Sequence, residues 1–282
     1  MKKINYWELL KKSFFLFFKN LVLLVPVLVS IVLFIGLGIV VVIEGLVFFG
    51  LNSVFLHDPS VMFSGFNLVL FIFFVLVDII LMMWIGAYVR GMTIGMLKEI
   101  VDTGKTSVNK MFYYGKKYFE IYFKYIILRL LIYLVPLIVL GALGFLAFTA
   151  SMVFGIILAV FLSLIYLAYV IFVSFGLFFM DPMITSKNKP IGRIIKDSFH
   201  YLKKDFWHMF CTWGISILVA IVVGVVMVPF SIGPTLIEQF GLAGLFFGVI
   251  YIFSTLIRTI VNIILKIWLD IFVFQSYFAK NK

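Results

Sequence analysis

The positions of the cations constrain this chain more than any other feature. All but three of its 23 Lys and Arg residues fall in four patches, at residues 2–19, 90–124, 187–204 and 280–282. The segments between the patches are long and apolar, and each contains a short turn without Lys or Arg. Since cytoplasmic loops of membrane proteins carry an excess of Lys and Arg, the pattern predicts a chain that crosses a membrane several times and keeps its basic segments on one side.

The composition agrees with this interpretation. Hydrophobic residues make up 65% of the chain and charged residues 12%, whereas soluble domains have about 45–50% and about 25%. Part of this apolar surface must therefore face lipid. The net charge of +11 then indicates anionic lipid headgroups as partners, at about 1 kcal/mol for each Lys or Arg near the surface, and we expect no nucleic-acid partner.

Six stretches are long enough to cross the bilayer, which takes about 20 helical residues. They are 21–44, 66–89, 125–147, 153–180, 208–230 and 242–277, with turns between paired spans at 45–65, 148–152 and 231–241. The positive-inside rule places both termini in the cytoplasm, and we expect a plasma-membrane location. The first span exceeds a signal-peptide core of about 7–15 residues, so we expect it to be retained.

A basic, aromatic segment precedes each predicted hairpin, at residues 7–20, 109–120 and 193–207. Aligning Ser13 with Ser198 also aligns Lys19 with Lys204, and Gly115 takes the same place in the second segment. Basic amphipathic helices with aromatic rings lie in the membrane interface. A small residue at the shared position would let each helix approach a neighbour closely.

The predicted fold is an all-α polytopic membrane protein with six transmembrane helices. They form three hairpins, each preceded by a basic amphipathic interfacial helix, within one membrane domain at 1–282 whose repeat units are about 1–105, 106–186 and 187–282. The copies share one orientation, unlike the inverted repeats of many secondary transporters. The cations predicted to face lipid headgroups are Lys11, Lys12, Lys19, Lys110, Lys116, Lys117, Lys124, Arg193, Lys196, Lys203 and Lys204.

Two segments carry a resemblance to known proteins. Met180-Asp181-Pro182, followed by SFHYLKKDFW at 198–207, resembles a pattern in a poorly characterised group of prokaryotic multi-pass membrane proteins. That group includes the membrane domain attached to some glycerophosphodiester phosphodiesterases. The resemblance implies a six-helix membrane unit with interfacial helices. The soluble phosphodiesterase domain has no counterpart in this sequence, so we do not expect that activity.

Ionisable residues also occur inside the predicted spans. Asp78 lies in the middle of the second span, where a carboxyl costs about 2.5–3.5 kcal/mol on insertion scales. In the last span, polar residues recur every fourth position and form one stripe: Arg258, Asn262, Lys266 and Asp270. Asp78 and Lys266 lie at similar distances from their cytoplasmic ends, so we predict that they pair, with Asp270 as the competing partner of Lys266.

This polar set has two interpretations. It is a clasp that fixes helix registry, or an ion or substrate pathway of the kind that intramembrane charges often mark. The apparent lack of another acidic residue at the depth of Asp78 counts against a pathway, because Glu44 is predicted to reach the outer interface.

No catalytic or metal-binding pattern is found. The three histidines (His57, His200 and His208) are predicted to lie at the surface or interface, and Thr103-Gly-Lys-Thr106 is interpreted as a turn. The single Cys211 excludes an intrachain disulfide and is predicted to be buried. Pro26, Pro136 and Pro229 are predicted to kink their spans, with neighbouring groups satisfying the freed carbonyl. We expect no cofactor and no metal.

Two classes of function follow from these observations. The first is a non-enzymatic scaffold or accessory subunit that binds anionic lipid and, in addition, a membrane-protein partner or a second copy of itself. The second is a small transporter or permease with a polar pathway along the last span. The deciding feature is whether the polar stripe lines a wet cavity or a dry helix contact.

Overall fold

The computed structural model describes residues 4–51, 65–187, 189–229 and 245–281, and every regular element within these ranges is helical. A short 3-10 turn at Leu21–Leu24 precedes the second helix. The helices are α1 (Tyr6–Lys19), α2 (Val25–Leu51), α3 (Gly65–Thr103), α4 (Val108–Ala150), α5 (Met152–Gly176), α6 (Met180–Ser186), α7 (Ile191–Lys204), α8 (Phe206–Val226) and α9 (Leu245–Asn281).

Five helical segments within the described ranges are long and apolar enough to cross a bilayer, so the chain is a multi-pass helical membrane protein. The sixth predicted span, 242–277, coincides with α9, which has 37 residues but is not one of the five. Residues 45–51 of the predicted turn at 45–65 belong to α2 instead. The part of that turn at 52–64, and the whole predicted turn at 231–241, lie outside the described residues. The five segments are Leu21–Leu46, Leu68–Thr103, Val108–Ala150, Met152–Ser186 and Phe206–Val226.

The predicted turn at 148–152 is confirmed. α4 ends at Ala150 and α5 begins at Met152. The side chain of Ser151 accepts a hydrogen bond from the backbone N–H of Phe154 and so caps α5. A serine in extended conformation at this position satisfies one of the free N–H groups that every helix start exposes.

Two of the three predicted amphipathic segments are separate helices, namely α1 and α7. Asn20 ends α1 at φ −132° and ψ 54°, and Asp205 ends α7 at φ −127° and ψ 42°. These two residues occupy the same place when Ser13 is aligned with Ser198. Asparagine and aspartate favour such ends because their side chains compete with helical hydrogen bonds.

The second segment is not a separate helix, which corrects the prediction. Residues 109–120 belong to α4, a single helix of 43 residues. Tyr122 stands where the other two copies have Asn20 and Asp205, and it lies inside α4. With no residue of that kind to end it, the amphipathic segment runs directly into the span.

The chain divides into two compact units. Unit 1 comprises Met1–Leu23, Leu97–Thr106 and Leu130–Lys282, and unit 2 comprises Leu24–Met96 and Ser107–Arg129. These boundaries differ from those of the predicted repeat units, which remain a prediction.

In unit 2, α3 and α4 approach closely through glycines. A Cβ added at Gly91 would lie 3.2 Å from the carbonyl oxygen of Gly115, and one added at Gly95 would overlap the side chain of Tyr114. A Cβ added at Gly115 would lie 2.9 Å from Cγ of Met92. The small residue predicted to permit close approach therefore does so here, and the pair Gly91 and Gly95 forms a packing face.

In unit 1, the interruption at Pro136 inside α4 is repaired by α5. Proline has no N–H, so the carbonyl of Ile132, four residues earlier, loses its helical donor. The hydroxyl of Tyr169 donates to that carbonyl at 2.8 Å. The hydroxyl of Tyr166 donates to the carbonyl of Tyr133 at 3.1 Å. The predicted satisfaction of the freed carbonyl is confirmed at Pro136, whereas Pro26 stands in the first turn of α2, where its missing N–H has no helical acceptor to lose.

We expect Tyr169→Phe to lower the stability of the protein by about 1–2 kcal/mol, because the Ile132 carbonyl, whose helical donor is missing at Pro136, loses the Tyr169 hydroxyl. In a Pro136→Ala background the restored backbone N–H bonds Ile132, so the same substitution should cost much less. Unfolding in detergent micelles, followed by circular dichroism, measures both values.

Tyr166→Phe is the matched control for this pair. Tyr133 keeps its helical donor at Leu137, so the cost of Tyr166→Phe should not depend on residue 136. An equal cost of Tyr169→Phe in both backgrounds would show that α5 does not repair the proline interruption.

Candidate functional site

All eleven cations that the sequence assigns to lipid headgroups are exposed. They lie on three helical segments, α1, α7 and the first part of α4, and each segment also has a buried face. None of these eleven side chains is therefore buried by packing against other parts of the chain. Its members are Lys11, Lys12, Lys19, Lys110, Lys116, Lys117, Lys124, Arg193, Lys196, Lys203 and Lys204.

α7 shows this division most clearly. Ile194, Ser198 and Leu202 are among its buried residues. Ser198 Oγ donates to the carbonyl oxygen of Gly176 in α5 at 2.6 Å. With one face fixed against α5 and α6, the helix directs its four cations outward.

α1 is held chiefly against α9. Leu10, Ser13 and Phe17 are buried, and Nε1 of Trp268 donates both to the Leu10 carbonyl at 3.2 Å and to Ser13 Oγ at 3.0 Å. Trp7, with the aromatic residues at 15 and 18, is exposed beside the lysines. Aromatic rings and cations on one exposed surface are typical of a membrane interface.

The basic part of α4 in unit 2 follows the same plan. Met111, Gly115 and Tyr118 are buried, while the four lysines face outward. Lys117 Nζ lies 5.8 Å from the ring centre of Tyr113 and 5.4 Å from that of Tyr118. Such cation–aromatic contacts hold a lysine near the interface without neutralising its charge.

Two further lysines share one acidic partner. Lys187 and Lys189 both bind the carboxylate of Asp197, at 2.7 and 3.0 Å. Their hydrogen bonds and charges lower the pKa of Asp197 to about 2. Together the three side chains carry a net charge of one positive unit, so the two lysines before α7 add less to the charge of this surface than the exposed cations of α7 do.

Asn20 and Asp205 anchor the two separate amphipathic helices. The Asn20 side chain donates to the Gly104 carbonyl at 3.1 Å and accepts from the Thr106 N–H at 3.2 Å. Gly104 has φ +80°, so residues 103–106 form a turn, as predicted. Asp205 binds Lys280 at 3.0 Å. Asn20 thus ties the end of α1 to the residues after α3, and Asp205 ties the end of α7 to the end of α9. In both cases the contact is at the end of the second helix of the same predicted hairpin.

Asp78 has an unexpected neighbour. The carboxyl group of Glu44 lies within hydrogen-bonding reach of the Asp78 carboxyl. The remaining oxygens, Oε2 of Glu44 and Oδ1 of Asp78, are buried and accept no hydrogen bond from the residues that the structure describes. Asp78 therefore has a second acidic group beside it in unit 2, which was not predicted, whereas the predicted reach of Glu44 to the outer interface stays a prediction.

The polar stripe of α9 is largely uncovered. Arg258, Asn262 and Lys266 are exposed, and Asp270 is half-buried. Asp78 belongs to unit 2 and Lys266 to unit 1, so the predicted pair between them stays a prediction. Three members of the stripe are thus not covered by other described residues of the chain, and the choice between a clasp and a pathway stays open.

The sequence pattern did not lead us to predict the buried polar cluster around His208. His208 is 5% exposed, so the prediction of a surface histidine is wrong for this residue and holds for His200, which is exposed. His57 lies outside the described residues. Cys211 is half-buried instead of buried. The sequence did contain a signal for the cluster at His208. His208 and Thr212 are four residues apart, which places two polar side chains on one face of an apolar helix.

The cluster joins α1, α8 and α9 in one chain of hydrogen bonds. Tyr6 Oη lies 2.8 Å from His208 Nδ1, His208 Nε2 lies 3.4 Å from Ser276 Oγ, and Ser276 Oγ lies 2.7 Å from Thr212 Oγ1. Thr212 Oγ1 donates to the His208 carbonyl at 2.9 Å. The rings of Tyr6 and Phe179 stack on the imidazole, with centres 5.7 Å away.

The direction of the bonds follows from Thr212. Its hydroxyl proton goes to the His208 carbonyl, so Ser276 donates to Thr212 Oγ1 and accepts from His208 Nε2. The imidazole then has no proton on Nδ1, which accepts from the Tyr6 hydroxyl. Burial, with a smaller contribution from the nearby Cys211, raises the pKa of Tyr6 to about 12, so the hydroxyl keeps its proton. Every donor finds an acceptor, as a stabilising network requires.

Within the described ranges, no group of three or more His, Cys, Asp or Glu side chains is placed to hold a metal ion. The chain matches no protein-family model, no curated protein and no solved structure. The class that the fold defines is therefore a multi-pass helical membrane protein, and its function has to be argued from the surfaces described above.

We expect Tyr6→Phe to destabilise the protein by about 1–2 kcal/mol, because His208 Nδ1 stays buried without its donor. Tyr113→Phe is the control, since Tyr113 is 60% exposed and should be nearly neutral. Thermal unfolding in detergent compares the two. If both variants unfold at the same temperature, the Tyr6–His208 bond does not hold α1 in place.

Proposed function

We propose that the protein is a non-enzymatic membrane scaffold or accessory subunit that binds anionic lipid headgroups on the cytoplasmic side of the plasma membrane. The observation that supports this most is the exposure of all eleven predicted cations on three helical segments whose other faces are buried. A surface built in this way is available to a partner without unfolding any part of the chain.

The physics of the surface favours lipid headgroups. Each Lys or Arg close to an anionic leaflet contributes about 1 kcal/mol, and the attraction extends about one Debye length, roughly 8 Å at physiological salt. Exposed aromatic residues beside the cations, such as Trp7 and Trp207, favour the boundary between headgroups and acyl chains. Soluble anions would gain the charge interaction but not the aromatic one.

We further propose that the chain is built from three copies of one unit, a basic helical segment followed by a hairpin, with both termini in the cytoplasm. The equivalent ends of α1 and α7, at Asn20 and Asp205, support the relation between the first and third copies. The resemblance to prokaryotic multi-pass membrane proteins at 180–182 and 198–207 remains part of this proposal. A membrane-protein partner or a second copy would bind the remaining exposed faces.

Replacing Arg193, Lys196, Lys203 and Lys204 with Gln tests the lipid-binding surface. We expect phosphatidylglycerol, added to protein in zwitterionic micelles, to raise the unfolding temperature of the wild type. In the fourfold variant most of that rise should be lost, because α7 keeps its buried face but not its charge. Raising the salt concentration should weaken the wild-type effect in the same direction.

A variant with Lys196, Lys203 and Lys204 changed to Arg serves as the control, since it keeps the charge and should keep the response. An unfolding temperature that responds equally to phosphatidylglycerol and phosphatidylcholine in the wild type would contradict headgroup binding.

A small transporter or permease is the second candidate, and two observations favour it. The carboxyl groups of Glu44 and Asp78 meet within unit 2, which supplies the acidic partner that the sequence did not reveal. Separately, Arg258, Asn262 and Lys266 of unit 1 are exposed on one stripe of α9. Ionisable side chains inside a membrane generally face the bundle interior or a water-filled cavity and mark ion or substrate pathways.

Cysteines placed at 262 and 266 in a Cys211→Ala background separate the two candidates. A hydrated pathway requires both positions to react with a membrane-impermeant maleimide in sealed vesicles. A cysteine at Ile267, which is 2% exposed, should stay unreacted in folded protein. Protection of 262 and 266 would place the stripe against lipid or a protein partner and exclude the pathway.

A further inference from the structure

A groove of about 730 Å³ lies within unit 1, between α1, α8 and α9. Its volume falls in the range of small-ligand sites, about 300–1,000 Å³. Apart from one lysine, the residues that line it are apolar or aromatic, and the main ones are Trp7, Lys11, Phe15, Leu218, Val222 and Trp268.

The groove opens toward hydrocarbon. Trp7, Phe15, Leu218 and Val222 are each between 62 and 64% exposed. Leu218 is 12 residues from Phe206, about 18 Å along a helix that is apolar and long enough to cross the bilayer. A wall of this kind is solvated by acyl chains and not by water.

The α1 wall of the groove carries a cation. Lys11 Nζ lies 5.2 Å from the ring centre of Trp7 and makes no ion pair within the described part of the chain. Lys12, also exposed, follows it. The Trp268 indole satisfies its N–H on Leu10 and Ser13, so it adds only apolar surface to the groove.

We propose that this groove binds one anionic glycerophospholipid of the surrounding bilayer, with an acyl chain along α8 and the phosphate at Lys11. The inference rests on the proposed function and adds to it a defined site. The charge on the α1 wall and the apolar wall of α8 match the two parts of such a lipid. A zwitterionic lipid would match the wall but carries a cation that Lys11 repels, and a second copy of the chain would need an acidic group opposite Lys11.

Native mass spectrometry of the full-length chain tests the site. The protein is released from vesicles made of equal parts phosphatidylglycerol and phosphatidylcholine with identical acyl chains. We expect the wild type to retain phosphatidylglycerol in preference. Lys11→Gln should weaken that retention roughly fivefold, and Val222→Trp, which fills the groove, should reduce retention of both lipids.

Matched variants keep the test specific. Val225→Trp introduces the same side chain on α8 at a residue that is 64% exposed and is not part of the groove, so it should bind lipid as the wild type does. Lys105→Gln removes an exposed lysine of unit 1 that belongs neither to the groove nor to the eleven cations, and it should also leave the retained lipid unchanged. The variant with four Gln on α7 should lose peripheral phosphatidylglycerol but keep the molecule that depends on Lys11.

The outcomes separate the site from the wider function. A wild type that prefers phosphatidylglycerol, with no change in Lys11→Gln or Val222→Trp, overturns the groove and leaves surface binding intact. Loss of retention in Val222→Trp without any effect of Lys11→Gln overturns the anionic occupant. Loss of a dimer in Val222→Trp would assign the groove to a second copy, and no lipid preference in the wild type would overturn the proposed function itself.

Discussion

Helices surrounded by hydrocarbon cannot be held together by burying apolar side chains, because lipid solvates those side chains as well as a neighbouring helix does. In the five spans, at most 11% of the residues in the most apolar windows are buried. The helices are therefore held together by close backbone approach and by hydrogen bonds. Gly91 and Gly95 against α4, Ser198 on Gly176, and Trp268 on Ser13 are contacts of this type, and the remaining features depend on them.

The same constraint explains what the sequence could predict. Span positions follow from hydropathy because the bilayer imposes a minimum length on every crossing, and the cation patches follow from the cost of moving charge across. The small residues at 13, 115 and 198 were also readable, because only small side chains permit close approach. Hydropathy, cation patches and small residues can all be recognised without knowing which helices become neighbours.

The polar contacts could not be predicted in the same way. Glu44 and Asp78 are 34 residues apart, and His208 and Ser276 are 68 apart. Whether such residues meet depends on how each helix is rotated about its axis, and hydropathy does not predict that rotation. The second amphipathic segment was predicted as separate because its pattern repeats, whereas helix ends depend on single residues such as Asn20 and Asp205. His208 was assigned to the surface because isolated histidines usually lie there, and only its neighbours explain its burial.

The contact between α1 and α9 joins residues 258 positions apart in the chain. At about 5–20 residues per second, a ribosome needs roughly 13–50 s to make the intervening segment. The face of α1 that carries Leu10 and Ser13 remains without its partner throughout that interval. The order in which helices reach the membrane, and not the strength of their contacts, thus decides when unit 1 can close.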